Sequence, residues 1–232
     1  MYVWTRHGRV GTYAVSASYC EMTTATSTAL TPFLQNRILI ALALIYAAVW
    51  VWFAIDPAWR PQWWLDNIMV FLFVGGLVST HRRYPVSDLS YALIAVFMCF
   101  HAVGANMSYS SVPLGAWMSQ TFGFARPNVY DRLVHFLFGF LLVYPLHEVL
   151  RRYSHLQGRW LIILPVDFIL SYSAAYELIE AATAWTMPPE DYDPFVGLQG
   201  DIWDGYRDML CAVSGAAITM IGISLKRRFT GR

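Results

Sequence analysis

The sequence predicts an all-α protein: a polytopic bundle of six transmembrane helices with both termini on the cytoplasmic side. Three observations predict it. The 232 residues are 57% hydrophobic and only 13% charged, where soluble domains carry about 25% charged residues. The apolar residues collect into six runs, each near the roughly 20 residues that a bilayer span requires. The runs lack period-two alternation and exceed the ~10 residues of a membrane β-strand, so helices are the better assignment.

The first run, 38–55, reads ILIALALIYAAVWVWFAI and has no ionisable side chain except Tyr46. The others, 63–80, 89–109, 129–148, 160–185 and 201–225, each carry polar residues inside an apolar frame. Between them DPAWRPQ, HRRYPVSD, the Gly-, Pro- and Ser-bearing stretch 110–128, RRYSHLQGR and TMPPEDYDPFVGLQG read as loops. Residues 1–35 contain Arg6 and Arg9 but no apolar stretch of the roughly 7–15 residues that a signal peptide needs. They are expected to be a flexible tail, with Met22 an alternative initiator, ahead of a membrane domain over 36–229.

Composition also excludes function classes. With 16 Lys and Arg against 15 Asp and Glu the net charge is +1, so bulk charge offers nucleic acid nothing to bind. Cys20, Cys99 and Cys211 are scattered and form neither a disulfide framework nor a zinc motif.

Basic residues set the orientation, because short cytoplasmic loops are enriched in Lys and Arg. With the N-terminus inside, the inner side holds Arg6, Arg9, Arg37, Arg82, Arg83, Arg151, Arg152, Arg159, Lys226, Arg227, Arg228 and Arg232, and the outer side only Arg60 and Arg126. Trp63, Trp64, Trp117, Trp185 and Trp203 then fall near the outer interface, where aromatic belts form.

Counting about 1.5 Å of rise per residue from each outer helix end places seven ionisable groups in one layer of the outer leaflet. These are His101, Asp131, His135, Glu177, Glu180, Asp204 and Asp208, at depths of about 3 to 12 Å. Asp131 and His135 stand at i, i+4, Glu177 and Glu180 at i, i+3, and Asp201, Asp204 and Asp208 at i, i+3, i+7. Each set shares one helix face. An ionisable group in hydrocarbon costs about 2.5–3.5 kcal/mol or more, so such stripes face a bundle interior.

Six carboxylates (Asp131, Glu177, Glu180, Asp201, Asp204, Asp208) against Arg132 and Arg207 leave a formal charge of −4. Carboxylates so close cannot all ionise without compensation. Divalent ions supply it: Mg²⁺ favours oxygen ligands, while Mn, Fe and Zn also accept His. Facing helices with paired ligands at i, i+3 or i+4 build dimetal sites in helical bundles in the same manner.

Structural roles compete for several of these residues. Asp131 and Asp201 suit helix N-termini. Glu177 with Arg207, or Asp204 with Arg132, would make ion pairs that fix helix register, and His101 alone would be a satisfied core histidine. At the inner end, Glu148 pairs with Arg152 at i, i+4. Asp167 sits within the opposite leaflet with no specific role. Gly75, Gly76, Ser214, Gly215, Ala216 and Gly222 suggest close helix packing.

The strings YDRLVHFLFGF at 130–140, SYSAAYELIEA at 171–181 and GLQGDIWDGYRDMLCAVSGA at 197–216, with the segment 101–108, resemble the signatures of the YjdF family of bacterial inner-membrane proteins. The resemblance covers 35–225. That family's domain is one of unknown function, so the resemblance implies a multi-pass inner-membrane protein and supplies no substrate, cofactor or catalytic residue. Asp201-x-x-Asp204-x-x-x-Asp208 is also similar to the first aspartate-rich motif of membrane prenyltransferases, which holds Mg²⁺ against a diphosphate. The sequence departs from that family in lacking a second such motif, in having six spans instead of about nine, and in placing the motif outside.

The leading expectation is a divalent-metal-dependent membrane hydrolase or transferase acting on a lipid or isoprenoid head group at the outer leaflet. Asp131, His135, Glu177, Glu180, Asp201, Asp204 and Asp208 would be metal ligands. His101 would be a general acid/base, and Arg132 or Arg207 would orient a phosphate. A small proton- or cation-coupled transporter is the first alternative. A non-catalytic scaffold whose polar network specifies helix packing is the second.

Overall fold

In a computed structural model the protein is described over residues 35–188 and 195–230. The N-terminal tail expected at 1–35 falls outside these, except for its last residue. Seven α-helices follow in order: α1 (Arg37–Ala54), α2 (Arg60–Thr80), α3 (Asp88–Met107), α4 (Pro113–Phe122), α5 (Tyr130–Tyr153), α6 (Trp160–Thr186) and α7 (Asp204–Thr230), with a 3₁₀ turn at Tyr109–Ser111. All except α4 are long and apolar enough to cross a membrane, six in total among the described residues. No strand occurs among them.

Local chemistry sets the ends. Asn36 accepts from the Leu39 N–H at 3.0 Å and donates to Asp88 Oδ1 at 2.5 Å, tying the start of α1 to the start of α3. Ser87 caps α3 by accepting from the Ser90 N–H. Pro61 and Pro113 occupy first-turn positions of α2 and α4, where the missing N–H costs nothing. Gly123 ends α4 in the left-handed conformation, φ 70°.

Several boundaries differ from the sequence expectation: α2 starts at Arg60 instead of 63, α3 ends at Met107 instead of 109 and α7 runs to Thr230 instead of 225. The stretch 110–128, read as a loop from its Gly, Pro and Ser content, contains α4. Helix α5 runs to Tyr153 instead of 148, because Arg151 and Arg152 extend its last turn beyond the apolar run. Helix α7 starts at Asp204 and not at 201; Asp201 lies in the preceding turn, where its carbonyl accepts from the Asp204 N–H at 3.2 Å.

The packing centre is the α5–α7 pair. A side chain at Gly139 would overlap the Ala212 carbonyl, and one at Gly215 would overlap the Phe136 carbonyl. Each helix thus gives up a side chain where the other's backbone passes, and Thr219 Oγ1 donates to the Phe140 carbonyl at 2.7 Å. Without a hydrophobic drive between helices in lipid, such close approach supplies the attraction. The other small residues behave differently: Gly75, Gly76 and Gly222 have no neighbour that a methyl group would meet, so the close packing expected there is not found.

Around the pair, Val70, Ile94, Met98, Leu142, Val143, Ile169, Ala212, Ala216 and Met220 form the main apolar core. Leu39 is the one buried residue of α1, and Leu44, Trp52 and Ile55 expose most of their surface, as a lipid-facing helix should. Asp167, to which the sequence assigned no specific role, is exposed on α6.

Candidate functional site

Helices α5 and α7 both begin at the same end of the bundle with an aspartate in the first turn, Asp131 and Asp204. Asn128 prepares α5: its Oδ1 accepts from the Tyr130 N–H at 3.0 Å, and its Nδ2 donates to the Val112 carbonyl at 2.9 Å. Asp208 stands one turn further along α7. One carboxylate oxygen from each of Asp131, Asp204 and Asp208 lies within 4.8 Å of the others, and all three residues are buried.

Three arginines surround this group. Arg126, in the loop before α5, contacts Asp204 through Nη1 and lies 3.8 Å from Asp131; its other Nη donates to the Gly197 carbonyl at 2.9 Å. Burial presses its guanidinium below the ordinary value, against the pull of Asp131 and Asp208. Arg132 pairs with Asp201, with Asp204 at 3.4 Å and with Asp208 at 3.9 Å. Arg207, half exposed, pairs with Asp201 at 2.5 Å; the expected Glu177–Arg207 pair is not formed. Burial would raise the Asp201 carboxyl, but the Trp203 N–H and the Arg132 and Arg207 guanidiniums outweigh it and hold the group below the usual carboxylate range.

Helix α6 closes the other side. His135 Nε2 lies 3.7 Å from Asp131 and 3.5 Å from Glu177, and its Nδ1 meets Ser173 Oγ at 3.3 Å. Glu177 packs over Gly205, where a Cβ would come within 2.5 Å of its Oε2. Glu180, also buried, is within electrostatic reach of Asp131, Glu177, Asp208 and Asp66.

His101 meets a tyrosine instead of the carboxylates. It makes no ion pair with a carboxylate among the described residues; its Nδ1 pairs with Tyr109 Oη at 2.5 Å, and its ring stacks on Phe97. Burial pushes the Tyr109 hydroxyl well up, so it keeps its proton.

Sequence reasoning missed Arg126 and Asp66. Arg126 was counted only as an outer-loop charge, yet its side chain is 3% exposed. Asp66, on α2, is buried with Gln62 one turn before it and accepts from Tyr176 Oη at 2.9 Å. The Gln62–Asp66 pair at i, i+4 was the available signal, straddling the expected start of the second span. Asp66 Oδ2 and Asp208 Oδ1 are buried without a hydrogen-bond partner. Seven carboxyl groups (Asp66 added to the original six) and three guanidiniums now share the layer, so the formal excess of four negative charges persists. Close-set carboxylate oxygens with that excess can hold protons or a hard cation.

The opposite end of the bundle holds a separate and saturated polar group. Glu148 accepts from the Ser87 N–H at 3.1 Å, from Ser87 Oγ at 2.7 Å and from Ser90 Oγ, and pairs with Arg152 at 2.6 Å. Such a saturated carboxylate holds helices together and leaves no oxygen for chemistry.

Fold and site define a polytopic helical membrane protein with a buried carboxylate–guanidinium layer at one end of its bundle. Residues 38–228 match the family described as predicted membrane protein, DUF2238, and the chain belongs to that family. It is 35% identical over 193 residues to the inner membrane protein YjdF of Escherichia coli strain K12, covering 83% of this chain and 91% of the relative. With six apolar helices of spanning length, the chain is a multi-pass inner-membrane protein. No solved structure matches it.

Proposed function

We propose that the protein is a divalent-cation-dependent membrane enzyme that hydrolyses or transfers at a phosphate on a lipid or isoprenoid head group. The carrying observation is the convergence of Asp131, Asp204 and Asp208 within 4.8 Å, buried, with Asp208 Oδ1 lacking any hydrogen bond. Three hard oxygen donors in that space suit Mg²⁺ or Mn²⁺. His135, flanked by Asp131 and Glu177, would extend the choice to Fe or Zn. A bound ion supplies an activated water and polarises a phosphoryl oxygen.

Arg132 and Arg126 stand against the same carboxylates, and guanidiniums suit phosphate oxygens in fork geometry. The distribution of Lys and Arg puts both termini in the cytoplasm, and therefore the site in the outer leaflet. A proton or cation relay is less well supported: the apolar cluster of Val143, Ile169, Ala212 and Met220 occupies the middle of the bundle, and the inner polar group is saturated.

Elemental analysis of detergent-purified protein, prepared without chelator, tests this reading beside Asp208→Asn and Arg207→Gln. Expected is stoichiometric Mg, Mn, Fe or Zn that is lost in Asp208→Asn and kept in Arg207→Gln. Absence of metal from the wild-type protein sinks it. Size-exclusion profiles establish that the Asp208 variant is folded.

A further inference from the structure

We propose that a pocket next to the carboxylate layer, lined by serine hydroxyls and an indole, is a subsite for a polyhydroxyl group, a sugar or polyol. It rests on the preceding reading only in taking this group as part of the same head group as the phosphate.

The pocket has a volume of about 420 Å³ and is lined by Trp59, Met107, Ser108, Ser110, Ser111 and Gln199, with Ala58 and Gly197. Among the described residues no charged side chain lines it. Hydroxyls, a carboxamide and an indole face are what a neutral ring bearing many hydroxyls requires: hydrogen bonds at its edge and an apolar surface for its C–H face.

Its walls are fixed before any ligand arrives. The Ala58 N–H donates to the Asn106 carbonyl at 2.7 Å, and Asn106 Nδ2 to the Phe53 carbonyl at 2.7 Å, which bolts the Trp59 loop to the end of α3. In the same lining, Gln199 accepts from the Asn128 N–H at 2.9 Å and donates to the Asn128 carbonyl at 3.0 Å. Arg126 holds the Gly197 carbonyl. The two residues that fasten this wall, Arg126 and Asn128, are the same two that shape the carboxylate layer, so a head group could reach both sites.

Backbone conformation marks the place independently. Among the described residues only Ser108 (φ 63°) and Gln199 (φ 50°) are non-glycines with positive φ, and both line this pocket, with Gly197 at φ 59° beside them. Conformations of that kind persist where surrounding structure enforces them, and they concentrate at ligand clamps.

Saturation-transfer NMR on the full chain in phosphatidylcholine nanodiscs tests the proposal, with methyl β-D-glucopyranoside as the probe and choline as the comparison. Expected is transfer to the glucoside ring protons and none to choline, with affinity at least tenfold weaker in Trp59→Ala and restored in Trp59→Tyr. No transfer in the wild type, equal transfer in Trp59→Ala, or choline binding in place of the glucoside overturns it. Metal content is read on the same samples. Glucoside binding that survives in Asp208→Asn keeps the pocket whatever happens to the metal, whereas metal without glucoside binding removes the pocket and leaves the cation site standing.

Discussion

The guanidinium of Arg126, from the loop ahead of α5, lies in ion-pair contact with the carboxylate of Asp204 in the first turn of α7. Two segments 78 positions apart in sequence are joined there by opposite charges that water hardly touches. The contact fixes the α5 and α7 N-termini relative to each other, which sets the spacing of the three aspartates.

Removing Arg126 leaves buried Asp204 with only Arg132, at 3.4 Å, and buried Asp131 with only His135, at 3.7 Å, among the described ion pairs. Arg126→Gln is expected to destabilise the protein by about 3–5 kcal/mol, the range for breaking one side of a buried pair. Arg207→Gln, at an exposed pair, is expected to cost about 1 kcal/mol or less. Thermal unfolding in one detergent compares them; equal losses would mean that Arg126 is not buried as described.

The glycines separate contact from coincidence. Gly139→Ala forces a methyl group into the Ala212 carbonyl and is expected to cost about 1–3 kcal/mol by overpacking. Gly222→Ala meets nothing and should stabilise by up to about 1 kcal/mol through helix propensity. Chemical denaturation of the two variants in mixed micelles reads the opposite signs.

Asp201 predicts an acid-side dependence. Its folded carboxyl sits below the usual range, so its contribution is complete above the unfolded-state value near about 3.9 and is lost as pH falls through the lower folded value. The melting temperature should decline as the solution is acidified below about pH 4, and Asp201→Asn should flatten part of that decline. An unchanged slope in the variant would assign the decline to other groups.

Much of the fold was legible because span length and apolar run length are one quantity in a membrane protein. The meeting of Asp131 with Asp204 and Asp208 was legible for a similar reason: polar stripes at i+4 and i+7 cannot face lipid, so they face each other. Arg126 was not, since loop residues carry no periodicity that reveals which way they turn. Asp66 escaped because it is a single acid with no second ionisable residue on its face. The partner of His101 was not legible from depth; sharing a layer does not decide which neighbour an imidazole meets, and Tyr109 is nearer in the chain. Helix α4 was hidden by Pro113, Gly115 and Gly123, two of which are its own boundary residues.

The interlock of α5 with α7 also bears on how the chain is made. Helix α5 leaves the ribosome carrying Asp131, Arg132 and His135 in its first turns and His147 and Glu148 near its last, a load that opposes insertion by less per charge than the about 2.5–3.5 kcal/mol of the bilayer centre. The carboxylates that answer Arg126 and Arg132, and the small-residue face that receives Gly139, arrive only with α7, after α6 has been synthesised. During that interval α5 has α3 beside it, with Tyr130 Oη on the Phe100 carbonyl and Glu148 on Ser87 and Ser90, but lacks the helix against which its Gly139 packs. Its tight packing in the bundle is therefore a late event in biogenesis, and truncation before Asp204 should leave a chain whose fourth span is less firmly held even though every residue of that span is present.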